Sequence, residues 1–202
     1  MAITQITSLS LVDDAVTLAK IGATGTASSS TFLQGDNSWA TQPILQMVSH
    51  ENNQTTTLTG DLTSWQEINS NWRLAITPKS ASSNLILNAY VCFNQYSGNN
   101  YIISHMRFYD VTNSAAVAIG QGSGSRNQAS AAFRYPHYDS NDAGIFPIMG
   151  RAASSNTNAR TYTVQIHSES SSASYAFNYS SNNNAHLGWT AKFAFTITEV
   201  LA

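Results

Sequence analysis

Two aspartates three residues apart, Asp139 and Asp142, lie in the run His137-Tyr138-Asp139-Ser140-Asn141-Asp142. Glycoside hydrolysis uses such a pair, one carboxyl kept protonated by an apolar pocket and the other ionised across the scissile bond. The residues around these two are polar and turn-forming, so nothing in the sequence raises either pKa, and turn aspartates are the plainer reading. No Gly-x-Ser-x-Gly elbow supplies an esterase serine. The histidines at positions 50, 105, 137, 167 and 186 are too far apart to form ligand pairs, and Ala143 stands where a calcium loop beginning at Asp139 needs an oxygen ligand. His105 or His167, each in a strand pattern, is placed to meet its own copies at an assembly axis, or else to be a hydrogen-bonded strand residue. The chain is therefore expected not to be an enzyme and to carry no metal and no cofactor.

Binding chemistry is better represented. Sugars are held by aromatic faces that stack and by neutral amides and hydroxyls that meet their oxygens. That mixture occurs at Tyr135, His137, Tyr138, Asp139 and Asn141, again around Tyr96 and Tyr101, and in residues 175–184. A tyrosine plugging the end of a β-sandwich would read the same way at any one of these positions. Between residues 126 and 160, Arg126, Arg134, Arg151 and Arg160 face only Asp139 and Asp142, an excess that suits an anionic surface glycan or reflects scattered strand arginines.

Composition agrees. Charged residues are 10% of the chain, against roughly 25% in ordinary soluble proteins, while Ser, Thr, Asn and Gln make up roughly 38%. A net charge of −2 with no basic cluster leaves nucleic acid without a footprint. No run of about 18 apolar residues is present to span a membrane, so no membrane insertion is expected. The single Cys92 has no intrachain disulfide partner, and its neighbours read as a buried strand.

The elements that must position these groups fall into two parts. Residues 10–22 carry a helix signature, with Ser10 as cap, Asp13 and Asp14 in the first turn, Lys20 in the last and Gly22 as stop. Leu11, Val12, Ala15 and Leu18 are its attachment candidates, and a helix this short needs a partner to persist. The following stretch is rich in small residues. Phe32, Leu33 and Trp39 then bracket a Gly35-Asp36-Asn37 turn and are expected to be fixed by packing. From Pro43 the period becomes two, with strand patterns near residues 44–49, 57–59, 65–68, 72–77, 84–94, 101–111, 115–119, 129–135, 144–149, 160–167, 174–178 and 189–200. This predicts an all-β chain: an antiparallel, jelly-roll-like β-sandwich body over 43–202 behind an arm and linker over 1–42.

Several of these segments resemble bacteriophage tail-fibre and virion appendage proteins. Gly25-Thr26, Ser28-Ser29-Ser30-Thr31-Phe32-Leu33, Gly35-Asp36 and Trp39 match a short recurrent segment of that family. Ile76-Thr77-Pro78 with the serine-rich turn after it, Met106-Arg107-Phe108-Tyr109-Asp110, Thr161-Tyr162-Thr163-Val164-Gln165 and Thr196-Ile197-Thr198-Glu199-Val200 resemble its body strands in order. The resemblance implies a homotrimer in the virion, assembled in the host cytoplasm and exposed on the particle. It also implies attachment to other tail or capsid proteins through the arm, and contact with host surface polysaccharide through body loops. The alternative is a head fibre, capsid decoration or adaptor that touches no receptor.

Overall fold

In this computed structural model, residues 22–28, 31–97, 102–134, 144–183, 185–186 and 188–202 are described. The helix expected over residues 10–22 falls outside them, apart from Gly22. The chain divides into two compact units, Met1–Pro43 and Ile44–Ala202.

In the first unit, β1 (Thr31–Leu33) and β2 (Trp39–Thr41) form a hairpin in the register Leu33 to Trp39 and Phe32 to Ala40. Asn37 takes a left-handed φ of 64°, a conformation that asparagine tolerates. Its backbone N–H donates to the Gln34 carbonyl, and its side chain reaches the Gly22 carbonyl. The Ser38 hydroxyl and N–H both donate to Asp36. These bonds hold the turn. Phe32 and Leu33 are 38% and 41% exposed, so the expectation that packing fixes them is corrected; only Trp39 is half-buried.

The second unit is an antiparallel sandwich. One sheet is built on β7 (Asn84–Ser97). β11 (Gly144–Ala153) lies along one edge of β7, and β14 (Phe193–Val200) followed by β13 (Ser174–Phe177) lies along the other. β3 (Ile44–Asn52) completes this sheet beside β14, and β4 (Thr56–Leu58) beside β13. The opposing sheet is built on β8 (Ile103–Asp110) and β12 (Arg160–Ser168). β9 (Ala115–Val117) and β10 (Ala131–Arg134) flank β8, while β5 (Gln66–Glu67) and β6 (Leu74–Ile76) flank β12.

Alternation decides what faces inward, because successive side chains of a strand point to opposite faces. Leu85, Leu87, Ala89, Val91 and Phe93 of β7 meet Met106 and Phe108 of β8 in one core. Aromatic pairs join the layers: Phe108 stacks on Phe195 at 5.5 Å, and Phe133 meets Phe146 at 4.1 Å. Trp72, expected in a strand, instead ends a 3₁₀ turn over Ser70–Trp72 whose start is capped by the Asn69 side chain. Its ring still points inward, stacked on Phe193 at 4.5 Å.

Glu199, fully buried on β14, reaches the turn that follows Ile76-Thr77-Pro78. It accepts hydrogen bonds from the backbone N–H groups of Lys79 and Ser80, from the Ser83 hydroxyl and from the Gln46 amide. Burial pushes its carboxyl up. The bonds from Ser83, Lys79, Gln46 and Ser80 more than offset this and hold it below the usual carboxylate range. The Ser154 hydroxyl, also buried, donates to the Ser80 carbonyl and closes the same knot.

Candidate glycan-binding site

The β13–β14 connection carries a concavity walled by aromatic, hydroxyl and amide groups. At the end of β13, Asn178 adopts a φ of 63° and turns the chain. Its N–H continues the ladder to the Cys92 carbonyl at 2.9 Å, and its side-chain amide donates to the carbonyls of Asn52 and Gln54. Tyr179 pairs with Thr190 across the neck of the loop, and Ala191 N–H returns to the Asn178 carbonyl. Above the neck, Ser180 N–H donates to the Trp189 carbonyl and Trp189 N–H donates to the Ser180 hydroxyl.

The loop folds over the outward face of its own sheet. Ser181 bonds the side-chain carbonyl of Asn94, and the Tyr179 hydroxyl shares a 2.6 Å hydrogen bond with that of Thr57. Asn94 and Ala176 are completely covered. What remains open is a pocket of about 450 Å³ lined by Tyr179, Trp189, Ser181, Asn182, Asn183 and Thr190. The named lining carries no charge. Trp189 Nε1 is enclosed without an acceptor among the described residues. Two aromatic rings with hydroxyls and amides between them match a neutral ring bearing several hydroxyls, with stacking on the apolar face and hydrogen bonds at the edge.

Tyr96, on β7 two residues beyond Asn94, belongs to the same end of the sheet. Burial and then the neighbouring Tyr179 raise its phenol pKa, against a hydrogen bond with Ser174. Tyr101, Tyr135, His137, Tyr138, Asp139 and Asn141 lie outside the described residues, as do Asp142 and the arm residues Leu11, Val12, Ala15 and Leu18. Tyr175, within the aromatic and amide run noted in the sequence, is a core residue bonded to Ser104.

Trp189 is the site residue that pattern reading missed. The run Trp189-Thr190-Ala191-Lys192 reads as the start of a strand, but β14 begins only at Phe193. The available signal was the run of Ser180 to Asn183 between two aromatics, too polar for a strand and bounded by rings. Cys92, read as a buried strand residue, lies in β7 with its thiol pKa raised by burial. Among the described residues, no group of three or more His, Cys, Asp or Glu side chains gathers to hold a metal ion.

No family model matches this chain, and no curated protein matches it. Solved structures do. The VP2 protein of infectious bursal disease virus, from derived T=1 particles, aligns over 81% of this chain at 10% identity with a TM-score of 0.39. VP2 of the Gt strain aligns over 84% with the same identity and score. A pilus protein of Bacillus endospore appendages aligns over 77% at 13% identity with a TM-score of 0.29. The chain spans about two fifths of the length of the VP2 proteins, 39% and 42%, and 89% of the pilus protein.

Proposed function

We propose that this chain is a non-enzymatic phage virion protein, a tail fibre or similar appendage, attached through residues 1–42 and contacting host-surface glycan through loops of the body. The Tyr179–Trp189 pocket carries the glycan part of this reading: it is uncharged, aromatic-walled and braced at its neck by paired backbone. The phage assignment comes from the ordered sequence resemblance over the body strands. The test is adsorption. Particles whose fibres carry Trp189→Ala and Asn183→Ala, present at normal occupancy and with an unchanged thermal midpoint, should adsorb to host cells several-fold less. Adsorption equal to that of the parent particle refutes the pocket as the contact and leaves a head fibre, decoration or adaptor as the better reading.

Self-association, as a homotrimer, is part of the proposal, and the outward face of the β7 sheet supports it. The loop over residues 178–191 covers one end of that face. The remainder exposes Met47, Tyr90, Ile145 and Met149, at 66, 55, 67 and 69%, around Ile86, Thr196 and Thr198. Four strands at about 4.8 Å spacing and seven residues at about 3.3 Å rise give a flat area of roughly 400 Å². The four exposed apolar side chains occupy part of that area, and a patch on this scale is often functional. Its charged groups are confined to the rim, with Arg151 on β11 and Glu51 beside Lys192 near β3. A second copy presents the same flat neutral face, which supports self-association; a face-on-face match is two-fold, so the trimer part of the proposal rests on the sequence resemblance and needs a heterologous contact. Light scattering on the eluting protein should give a mass above one chain; a folded monomer at micromolar concentration refutes self-association.

A further inference from the structure

The opposite outward face, on the β8–β12 sheet, carries a group that the reading above does not use. Arg107 lies with its guanidinium carbon 4.1 Å from the Trp65 ring centroid and 5.5 Å from that of Tyr109, and its Nε donates to Gln165 Oε1 at 2.9 Å. These contacts fix the plane of the cation. Glu67 stands across the sheet beside Gln165, but its two oxygens are occupied by Arg73 at 2.8 and 2.7 Å. Among the described residues no carboxylate pairs with Arg107, although burial already lowers its pKa.

Next to it, His105 and His167 face each other across β8 and β12, with ring centroids 5.5 Å apart, and His167 packs 5.4 Å from Trp65. Nδ1 of each ring is enclosed without a partner among the described residues, and His167 is only 9% exposed. His105 also lines an open cleft of about 530 Å³ together with Ala132 and the loop that carries Arg126, Asn127 and Gln128. Arg126 is oriented there by the Ser123 carbonyl and hydroxyl, at 3.1 and 3.2 Å. The loop is closed by Gly120 N–H to the Ala129 carbonyl and by the Gln128 amide to the Gly120 carbonyl.

We propose that this face is a second binding site, for an oxyanion carried on a sugar. The ring occupies the cleft against Asn127 and Gln128, and the oxyanion lies between Arg126 and the His105–Arg107 row. A preset guanidinium without a counterion among the described residues, in a half-buried aromatic setting, is what a carboxylate or phosphate oxygen satisfies best. His105 and Arg107 alternate along one strand about 7 Å apart, close enough to serve one substituent. The sugar class rests on the glycan reading above; the anion does not.

Calorimetry on the full chain with glucuronate, glucose 6-phosphate and glucose tests this. At least one acidic sugar should bind, and whichever binds identifies carboxylate or phosphate as the source; glucose should bind at least about tenfold more weakly. Arg107→Gln, with an unchanged thermal midpoint, should weaken the acidic sugar at least about tenfold, as should Arg126→Gln. Heat from the pocket on the other sheet is common to the parent chain and Arg107→Gln and drops out of their comparison, which separates the two sites. Failure of both acids to bind, or retention of full affinity by Arg107→Gln, overturns the proposal whatever the adsorption experiment shows.

Discussion

Replacing Glu199 by Gln tests how the body is locked. The carboxylate is fully buried and receives hydrogen bonds from Lys79 N–H, Ser80 N–H, the Ser83 hydroxyl and the Gln46 amide. A hydrogen bond to a charged group is worth about 1.5–3 kcal/mol, and a buried donor left without an acceptor costs about 1–3 kcal/mol. Glutamine keeps the shape and one oxygen but turns an NH2 toward at least one of these donors. Losing one such bond and orphaning its donor gives about 2.5–6 kcal/mol. For a unit of this size each kcal/mol moves Tm by about 2–4 °C, so the midpoint should fall by roughly 5–24 °C at pH 7. The pH dependence supplies a second check. The folded-state pKa lies below the unfolded value, so the stabilisation is fully present above the unfolded value, near the ordinary glutamate value of 4.5, and is lost as pH falls through the folded one. The gap between wild type and Glu199→Gln should therefore be wide at neutral pH and narrow on acidification below that value. Calorimetric scans at several pH values measure it. A variant within a degree or two of wild type at pH 7, or a gap that widens in acid, refutes the argument.

Gly150→Ala places a Cβ 2.3 Å from that of Ala118, so the loop bearing Ala118 must move; a loss of about 1–3 kcal/mol is expected in denaturant titration. Trp72→Ala removes a ring that is 1% exposed and stacked on Phe193, and should cost about 3–5 kcal/mol by the same assay. Tyr90→Lys combined with Met149→Lys touches no core contact, so the thermal midpoint of the isolated chain should stay within a few degrees while light scattering shifts to the mass of one chain. Gly25→Ala, at a φ of 88° and with its Cβ 3.0 Å from the Trp39 carbonyl oxygen, should loosen the small hairpin unit, seen as faster amide exchange at Thr24 and Trp39 with the body unaffected.

Much of the body was legible because burial on a half-exposed sheet writes itself as a period of two. Phe193, Phe195 and Ile197 alternate with Ala194, Thr196 and Thr198, and the structure buries the first set. Trp72 was misread because its side chain stays in phase with Leu74 and Ile76 while the backbone at Ser70–Trp72 is a 3₁₀ turn; the Asn69-Ser70-Asn71 run before it carries the capping chemistry. The Phe32–Trp39 turn looked like a packed plug, yet hydroxyl and amide bonds do the holding. Long-range partners left no local trace. Nothing near Glu199 states that its ligands lie about 120 residues earlier, nor that His105 and His167 share a register. Trp189 joined the pocket only because pairing of Tyr179 with Thr190 pulls it away from β14.

The position of β14 has a consequence for how such a body is made. It is an interior strand, bonded to β3 on one side and β7 on the other, yet it follows every other described strand in the chain. On the ribosome, β3 and β7 emerge with an open slot between them, each offering an unpaired edge, and neither the stack of Phe195 on Phe108 nor the Glu199 knot exists until β14 itself has emerged. Completion of the sheet is then a single late insertion spanning about 150 residues of sequence, slow by its loop-closure entropy. Nascent copies made side by side on one messenger hold open equivalent slots at the same moment. Exchange of β14 between neighbours is thus the misassembly that folding must outpace.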